Sequence, residues 1–188
     1  MKKKKLNLVH YKKPNKLNYL VKFLFTLIST FTNFIKLFIY YYVNSIYGRS
    51  YASVGRKSNV HPTVVLRHPS NIIIGDNCLI NHNNVLQSGK LNAKIIIGNY
   101  VQTGPNVMMF AYNHGTELNG VPMINQPYYE SDIIIGDDVW IGGGTVITAG
   151  VKIGKGSVIG SNSTVTKDIP EFSIAVGSPA KVIKQRGK

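Results

Sequence analysis

Acidic residues are missing from the first 75 positions: thirteen Lys or Arg precede Asp76, and no Asp or Glu does. The remainder carries nine basic against eight acidic residues, so the net charge of +14 belongs almost wholly to the N-terminal part. That arm is a polycation without the helix-turn-helix, zinc-finger or aromatic RNP pattern of a nucleic-acid reader, so no nucleic-acid partner is expected. The single cysteine, Cys78, excludes an intramolecular disulfide and lies inside a repeated segment, where it reads as a small buried side chain rather than a nucleophile. The five histidines, His10, His61, His68, His82 and His114, supply no closely spaced pair in the long loop described below, and no metal site is expected. No short apolar run with a small-residue cleavage site follows the lysine-rich start, so a secretory signal is not expected either.

What the chain has in abundance is a period of six. Ile135, Ile141, Ile147, Ile153, Ile159 and Val165 stand six apart without a miss, and four of them are followed by glycine. A helix buries apolar side chains at a period of 3.6 and a flat strand at a period of two; a period of six means short straight segments joined by tight corners, with one inward residue each. Three segments make one turn of a triangular solenoid, and residues 18 apart stack at about the 4.8 Å spacing of neighbouring strands. The same signal recurs upstream as Val54, Val60 and Leu66, then Ile74, Ile80 and Leu86, then Ile97, Thr103 and Met109. Its phase breaks between these blocks, and each break marks a loop on a rigid frame, where function concentrates. The longest runs from 110 to 132.

From Leu17 to Tyr47 the sequence predicts one helix. Leu17, Val21, Leu24, Ile28, Phe31, Ile35, Phe38 and Tyr42 form one stripe, while Lys22, Thr26, Ser29, Asn33, Lys36 and Tyr40 fall opposite. Lys36 within this stretch argues for a helix lying in a membrane interface rather than spanning it. The flanking lysines at 2 to 5, 12, 13 and 16 would add attraction to anionic lipid. Packing of this helix on the solenoid or on a partner subunit is the competing expectation. The predicted organisation is a basic arm and amphipathic helix over 1–48, a β-solenoid over 49–170, and a closing segment with a short helical tail over 171–188.

The loop reads Phe110-Ala111-Tyr112-Asn113-His114-Gly115-Thr116-Glu117, and His114 is its one side chain suited to proton transfer near neutral pH. Beside a bound thioester, a histidine can take the proton of a hydroxyl or amine that attacks the acyl carbon. Backbone N–H groups, for example in the Gly142 to Gly144 run, are candidates to hold the resulting oxyanion.

Three stretches carry a family resemblance: Ile134-Ile135-Gly136-Asp137-Asp138-Val139-Trp140-Ile141-Gly142-Gly143-Gly144, Val158-Ile159-Gly160-Ser161 through Val165-Thr166-Lys167-Asp168-Ile169-Pro170, and Ala175-Val176-Gly177-Ser178-Pro179-Ala180-Lys181-Val182-Ile183. Together they resemble the hexapeptide-repeat acetyltransferases, closest to the maltose/galactoside and xenobiotic O-acetyltransferase branch with its capsule and lipopolysaccharide O-acetyltransferases. The resemblance covers about residues 50 to 185. It implies a left-handed parallel β-helix, a homotrimer, acetyl-CoA as donor and an active site between two subunits. By position, His114 matches the family's general base and Asn84 an asparagine that positions the acceptor. Trp140 matches the tryptophan lining the catalytic pocket. Asn113 and Glu117 flank the base as candidate acceptor contacts, Glu117 also as a group able to orient the imidazole. The resemblance places the pantetheine arm near Gly142, Gly143 and Ser161, and the adenine and phosphate end near Thr166, Lys167 and Lys181.

One departure bears on the acceptor. The maltose/galactoside branch begins with a compact acidic helical region, whereas this chain begins with a basic, aromatic helix. The expectation is therefore O-acetylation of a bacterial surface polysaccharide or its precursor, by a cytoplasmic protein peripheral to the inner face of the cytoplasmic membrane. N-acetylation of an amino sugar nucleotide is the alternative, since the same base serves an amine. A non-catalytic scaffold does not require the His114 loop, Trp140 and the Pro179-Ala180-Lys181 stretch together. A β-helical carbonic anhydrase lacks its histidine pair here, Asn119 standing where a second loop histidine is expected, and a serine acetyltransferase would need a long acidic helical N-terminal domain.

Overall fold

The computed structural model describes residues 16–187. The lysines expected to attract lipid at positions 2 to 5, 12 and 13 lie outside the described residues. Two compact units result, one ending at Ile39 and the other running from Tyr40 onward.

The second unit is the solenoid. Its parallel strands are two to four residues long and stack into three sheets. Sheet A holds Ser53–Val54, Ile72–Ile74, Ile95–Ile97, Ile133–Ile135 and Lys152–Ile153. Sheet B holds Asn59–Val60, Leu79–Ile80, Gln102–Thr103, Trp140–Ile141, Val158–Ile159 and Ser173–Val176. Sheet C holds Val65–Arg67, Val85–Gln87, Met108–Phe110, Val146–Ile147 and Thr164–Val165. The register pairs like with like: Ile74 with Ile97, Ile97 with Ile135, Ile135 with Ile153, and Ile141 with Ile159.

The inward residues are those that the period of six selects. Ile74, Ile80, Leu86, Ile97, Met109, Ile135, Ile141, Ile147, Ile153, Ile159 and Val165 are all buried. Each such side chain is worth about 1.5–3 kcal/mol when fully removed from water. Thr103 occupies a hexad position as a polar residue and is satisfied there: its hydroxyl donates to the Leu79 carbonyl and accepts from the Asn81 N–H. Cys78 is buried with its thiol toward the Gly98 carbonyl, as expected for a packing residue. Val54 is the exception among the hexad positions and stays partly exposed on the first coil.

The corner between sheets A and B explains why glycine is followed by Asp or Asn. A Cβ on Gly75 would lie 2.6 Å from the Gly98 carbonyl carbon, and one on Gly55 2.4 Å from that of Gly75, so successive coils meet backbone to backbone. The next residue then reaches one coil back: Asp76 Oδ1 accepts from the Arg56 N–H at 2.7 Å, Asn99 Oδ1 from Asp76 at 2.8 Å, and Asp137 Oδ1 from Asn99 at 2.7 Å.

The last segment differs from expectation. In place of a helical tail, Lys181–Gln185 is a strand running antiparallel to Ser173–Val176, and it extends sheet B by one member. Five residues, Lys181-Val182-Ile183-Lys184-Gln185, are too few to fix a helical or a strand period, and the parallel stack leaves an open edge to be paired.

The N-terminal helix spans Lys16–Tyr41 and is followed by a π-helical stretch, Tyr42–Tyr47, and a short helix, Gly48–Tyr51, rather than continuing as one regular helix to Tyr47. Its apolar side chains, Phe23, Phe25, Phe31 and Phe34 among them, are exposed. Thr26 and Thr30 turn their hydroxyls back onto the carbonyls of Lys22 and Thr26. Leu17–Tyr41 has a mean hydropathy of 1.5, long and apolar enough to cross a membrane by length and composition.

Candidate active site

The three departures from the hexad spacing leave the solenoid at one corner, between sheets C and A: a short turn over 68–71, a loop over 88–94 and a hairpin over 111–132. The hairpin strands are Tyr112–His114 and Tyr128–Glu130, antiparallel, with Tyr112 opposite Glu130, Asn113 opposite Tyr129 and His114 opposite Tyr128. At its base Ala111 is buried; its N–H donates to the Gln87 carbonyl and its carbonyl accepts from the Ser131 N–H. Aromatic packing stiffens the stem. The Tyr112 and Tyr128 rings meet edge to face at 5.2 Å, and the His114 ring lies 4.5 Å from Tyr128. Gln87 donates to the Tyr112 hydroxyl from the solenoid side.

The tip is held by one buried side chain. Gln126 donates from Nε2 to the carbonyls of Glu117 at 2.9 Å and Val121 at 2.8 Å, and its Oε1 accepts from the Glu117 N–H at 2.9 Å. Gly115 lies against it, where a Cβ would come within 2.9 Å of Gln126 Cβ. His114 is thereby presented to solvent at the end of a braced strand. Glu117, considered above as an orienting group for the imidazole, has its carboxylate on the Tyr129 hydroxyl at 3.4 Å instead. Among the described residues, no carboxylate hydrogen bonds to His114.

Glu130 is the residue that sequence reasoning missed. Its carboxylate accepts from the backbone N–H groups of Lys90, Leu91, Asn92 and Ala93, at distances from 2.7 to 3.3 Å, and so fastens the second insertion to the hairpin. The N–H of Asn92 and, beyond it, those of Ala93, Leu91 and Lys90 hold the carboxyl below the usual range, against the opposing effect of desolvation. Its partners lie 37 to 40 residues away, and no local pattern announces them.

The other expected residues fall elsewhere. Asn84 is fully buried at the corner between sheets B and C, and its amide donates to the carbonyls of Asn81 at 2.6 Å and Gly104 at 3.0 Å. Its Oδ1 is buried with no partner among the described residues. In one chain this asparagine braces the corner and has no exposed surface for an acceptor. Trp140 projects from sheet B, 55% exposed, between Gln102 and Val158 of the adjacent coils. It lines a cavity of about 310 Å³ with Tyr100, Asp138 and Arg186. His114 does not line that cavity: the hairpin departs from the corner opposite sheet B. Asn113 is exposed beside the base.

Of the three consecutive glycines, Gly142 donates its N–H to Ile159 at 2.8 Å and Gly144 to Pro105 at 2.9 Å. The Gly143 N–H alone has no acceptor among the described residues. A Cβ on Gly142 would lie 2.4 Å from the Ser161 nitrogen, so this glycine serves coil stacking, whereas one on Gly143 would meet only Pro105, at 3.1 Å. Ser161 lies one coil on at the same corner, and Ser161, Thr166, Lys167 and Lys181 are exposed. No cluster of three or more His, Cys, Asp or Glu suited to a metal exists among the described residues.

The bacterial transferase hexapeptide family, with six repeats, matches residues 132–167. The chain is 38% identical over 143 residues to the galactoside O-acetyltransferase of Escherichia coli, a match covering 75% of this chain and 67% of that protein. It spans 62% of the length of a Saccharomyces cerevisiae relative, to which it is 42% identical over 126 residues. Among solved structures, a maltose O-acetyltransferase from Clostridium difficile superposes with a TM-score of 0.66 at 38% identity, covering 75% of this chain and 73% of that one. A hexapeptide-repeat acetyltransferase from Vibrio cholerae, solved with acetyl-CoA, gives a TM-score of 0.67 at 34% identity and covers 75% of each chain. A solenoid whose every coil obeys the period of six, a histidine hairpin at the third coil and these relatives together place the chain in the hexapeptide-repeat acetyltransferase family, on the galactoside and maltose O-acetyltransferase branch.

Proposed function

We propose that the protein transfers the acetyl group of acetyl-CoA to a sugar hydroxyl of a bacterial surface polysaccharide or its precursor, with His114 as general base. The observation that carries this reading is the hairpin: an exposed imidazole fixed by Tyr128 at the end of a braced strand, on the solenoid of an acetyltransferase family. In the reaction the neutral imidazole takes the hydroxyl proton as the oxygen attacks the thioester carbonyl. The tetrahedral oxyanion then collapses, the C–S bond breaks and the CoA thiolate leaves, to be protonated from the imidazolium. The Gly143 N–H is the backbone donor free to meet that oxyanion.

Trp140 and Gly143 lie away from the hairpin of their own chain, which supports a homotrimer in which the hairpin of one subunit serves the donor surface of the next. In that assembly Gly142, Gly143 and Ser161 flank the pantetheine arm, and Thr166, Lys167 and Lys181 the phosphate and adenine end. Asn84 acts by shaping the corner beside the acceptor, and Asn113 and Glu117 border the acceptor next to the base. The exposed apolar helix supports attachment to the inner face of the cytoplasmic membrane, where lipid-linked glycans are built.

The test is thiol release from acetyl-CoA with a panel of glycans, lipid-linked oligosaccharides and amino sugar nucleotides, comparing the intact protein with His114→Ala. Acetylation of a glycan hydroxyl that disappears in the variant supports the reading; turnover confined to amines, or undiminished without His114, overturns it. Co-expression of His114→Ala with Trp140→Ala subunits adds a second readout. Mixed trimers recover activity only when the two residues come from different chains.

A further inference from the structure

Beside the hairpin lies a cavity of about 360 Å³ bounded by Tyr47, Arg67, His68, Gln87 and Lys90 over a floor of Leu66 and Pro69. That is the lower end of the size range of small-ligand sites. No acidic side chain lines it. Arg67 and Lys90 have no carboxylate partner: the ion pairs among the described residues are Arg56 with Asp76 and Arg186 with Asp138. Glu130, whose hydrogen bonds fix the Lys90 backbone, has both oxygens occupied by N–H groups of that loop. Nor is this surplus confined to the rim. Arg49, in the short helix that follows Tyr47 and packs on the same 68–71 turn, has Nη2 buried without a partner among the described residues. Arg49 does not itself line the cavity; it adds to the positive charge around it.

The cavity also adjoins the base. Lys90 Nζ stands 4.4 Å over the Tyr128 ring, and the His114 imidazole lies 4.5 Å from the same ring. Gln87, on the same wall, bonds to the Tyr112 hydroxyl of the stem.

Resting on the acetyltransfer reading above, we propose that this cavity is the acceptor's anion site: the sugar that His114 activates carries a phosphate or diphosphate, held by the Arg67 guanidinium and the Lys90 ammonium. A planar guanidinium suits two phosphate oxygens at once and a lysine adds a point charge, which together fit a phosphoryl group better than a neutral sugar. The diphosphate of a nucleotide-linked sugar and that of a lipid-linked sugar present the same chemistry here.

The experiment uses the full chain saturated with CoA, so that CoA's own phosphates fill the donor surface, and inorganic pyrophosphate as the probe in isothermal titration calorimetry. Binding is expected to weaken about tenfold or more in Arg67→Gln and in Lys90→Gln and to stay unchanged in Lys184→Gln, an exposed lysine on the C-terminal strand, with thermal melts showing that all three fold. Turnover then separates the sources. Against matched pairs of a free sugar, its 1-phosphate, its nucleoside diphosphate and its polyprenyl diphosphate, a charged member should have the lower KM, and Arg67→Gln should raise that KM while leaving kcat. Absence of pyrophosphate binding, binding indifferent to both variants, or a free sugar or uronic acid preferred over every phosphorylated one overturns the proposal. Pyrophosphate bound through Arg67 and Lys90 with no acetyl transfer to any acceptor supports the anion site and refutes the acetyltransfer reading instead.

Discussion

The coils from Ile133 onward and the coils before it are built on the same inward residues yet differ at one corner. After Ile133, Val146–Ile147 passes to sheet A over 148–151 and Thr164–Val165 passes over 166–168 to Ile169, which bridges Ile153, and the period of six runs unbroken to Val165. Before it, the same corner throws out the 68–71 turn, the 88–94 loop and the 111–132 hairpin, cross-tied by Ser88 to the Arg67 and His68 carbonyls, by Asn71 to Gly89 and by Glu130 to residues 90 to 93. A solenoid tolerates insertions at a corner because neither the sheets nor the inward column is interrupted. The regular coils therefore supply the frame, and the inserted corner supplies the exposed side chains, His114 among them, that are suited to chemistry.

The contrast is sharpest at His114. Replacing it with alanine should lower turnover about 10²–10⁴-fold, the usual range for a lost general base. The hairpin is held by Gln126, Glu130 and tyrosine packing rather than by the imidazole, so the thermal melt should stay within about a degree or two of the parent, the scale of an unexceptional surface change. A large drop in melting temperature would make His114 a packing residue and remove the reason to assign it chemistry.

The opposite pattern belongs to the regular coils. Ile141→Ala, at a fully buried hexad position, should cost about 2–5 kcal/mol of stability. Ile134→Ala, on the outer face of the preceding sheet A strand, should cost a fraction of that, and chemical denaturation of the two variants makes the comparison. At the next corner Gly142→Ala should destabilise by about 1–3 kcal/mol, because its Cβ would fall 2.4 Å from the Ser161 backbone nitrogen. Gly143→Ala should cost less than Gly142→Ala, its Cβ meeting the Pro105 carbonyl oxygen at 3.1 Å, and because alanine keeps the backbone N–H, kcat should fall only through crowding by the added methyl group.

These differences mark what was legible in the sequence. The inward column was, because burial on a repeating frame imposes a period that one residue in six reveals; Ile135 through Val165 are buried as that period requires. The sequence also singles out His114, the one histidine in a long break of the period, and the structure places it exposed at the end of the first hairpin strand. The brace of that hairpin was not: Glu130 binds a loop some 40 residues back and Gln126 binds across its own tip, and neither contact has a spacing rule. Asn84 shows the limit from the other side. Its place in the chain matches an acceptor-positioning asparagine; the structure shows its amide nitrogen held by the carbonyls of Asn81 and Gly104 and its Oδ1 buried without a partner among the described residues, detail that only coil geometry reveals. The C-terminal strand was misread because Lys181-Val182-Ile183-Lys184-Gln185 is too short to separate periods of two and 3.6.

Glu130 offers a smaller effect that tests the cross-tied corner directly. Its folded pKa is depressed by the N–H groups of residues 90 to 93, so its contribution is present above the unfolded carboxyl's pKa and is lost as pH falls through the folded value. Glu130→Gln should therefore lower the melting temperature at neutral pH and lose less stability than the parent on acidification. An unchanged pH profile would mean that the 88–94 loop holds its shape unaided.

The N-terminal helix yields the gentlest perturbation, since it belongs to a compact unit of its own and its removal should leave the melt and the intrinsic acetyl transfer to a soluble acceptor unchanged. What should change is location. On the helical wheel Lys22, Ser29, Asn33 and Lys36 share an arc with Thr26 and Tyr40, and the apolar residues take the wider remainder, a division suited to lying in the headgroup region with the lysines in water. Length and hydropathy would also permit a span, and that is the alternative to exclude. The intact chain should sediment with vesicles containing phosphatidylglycerol, and alkaline carbonate should release it; a chain truncated before Tyr40 should remain in the supernatant. Retention through the carbonate wash would show that the helix crosses the bilayer despite Lys22 and Lys36, and equal partitioning of the two forms would return the exposed phenylalanines to a protein partner.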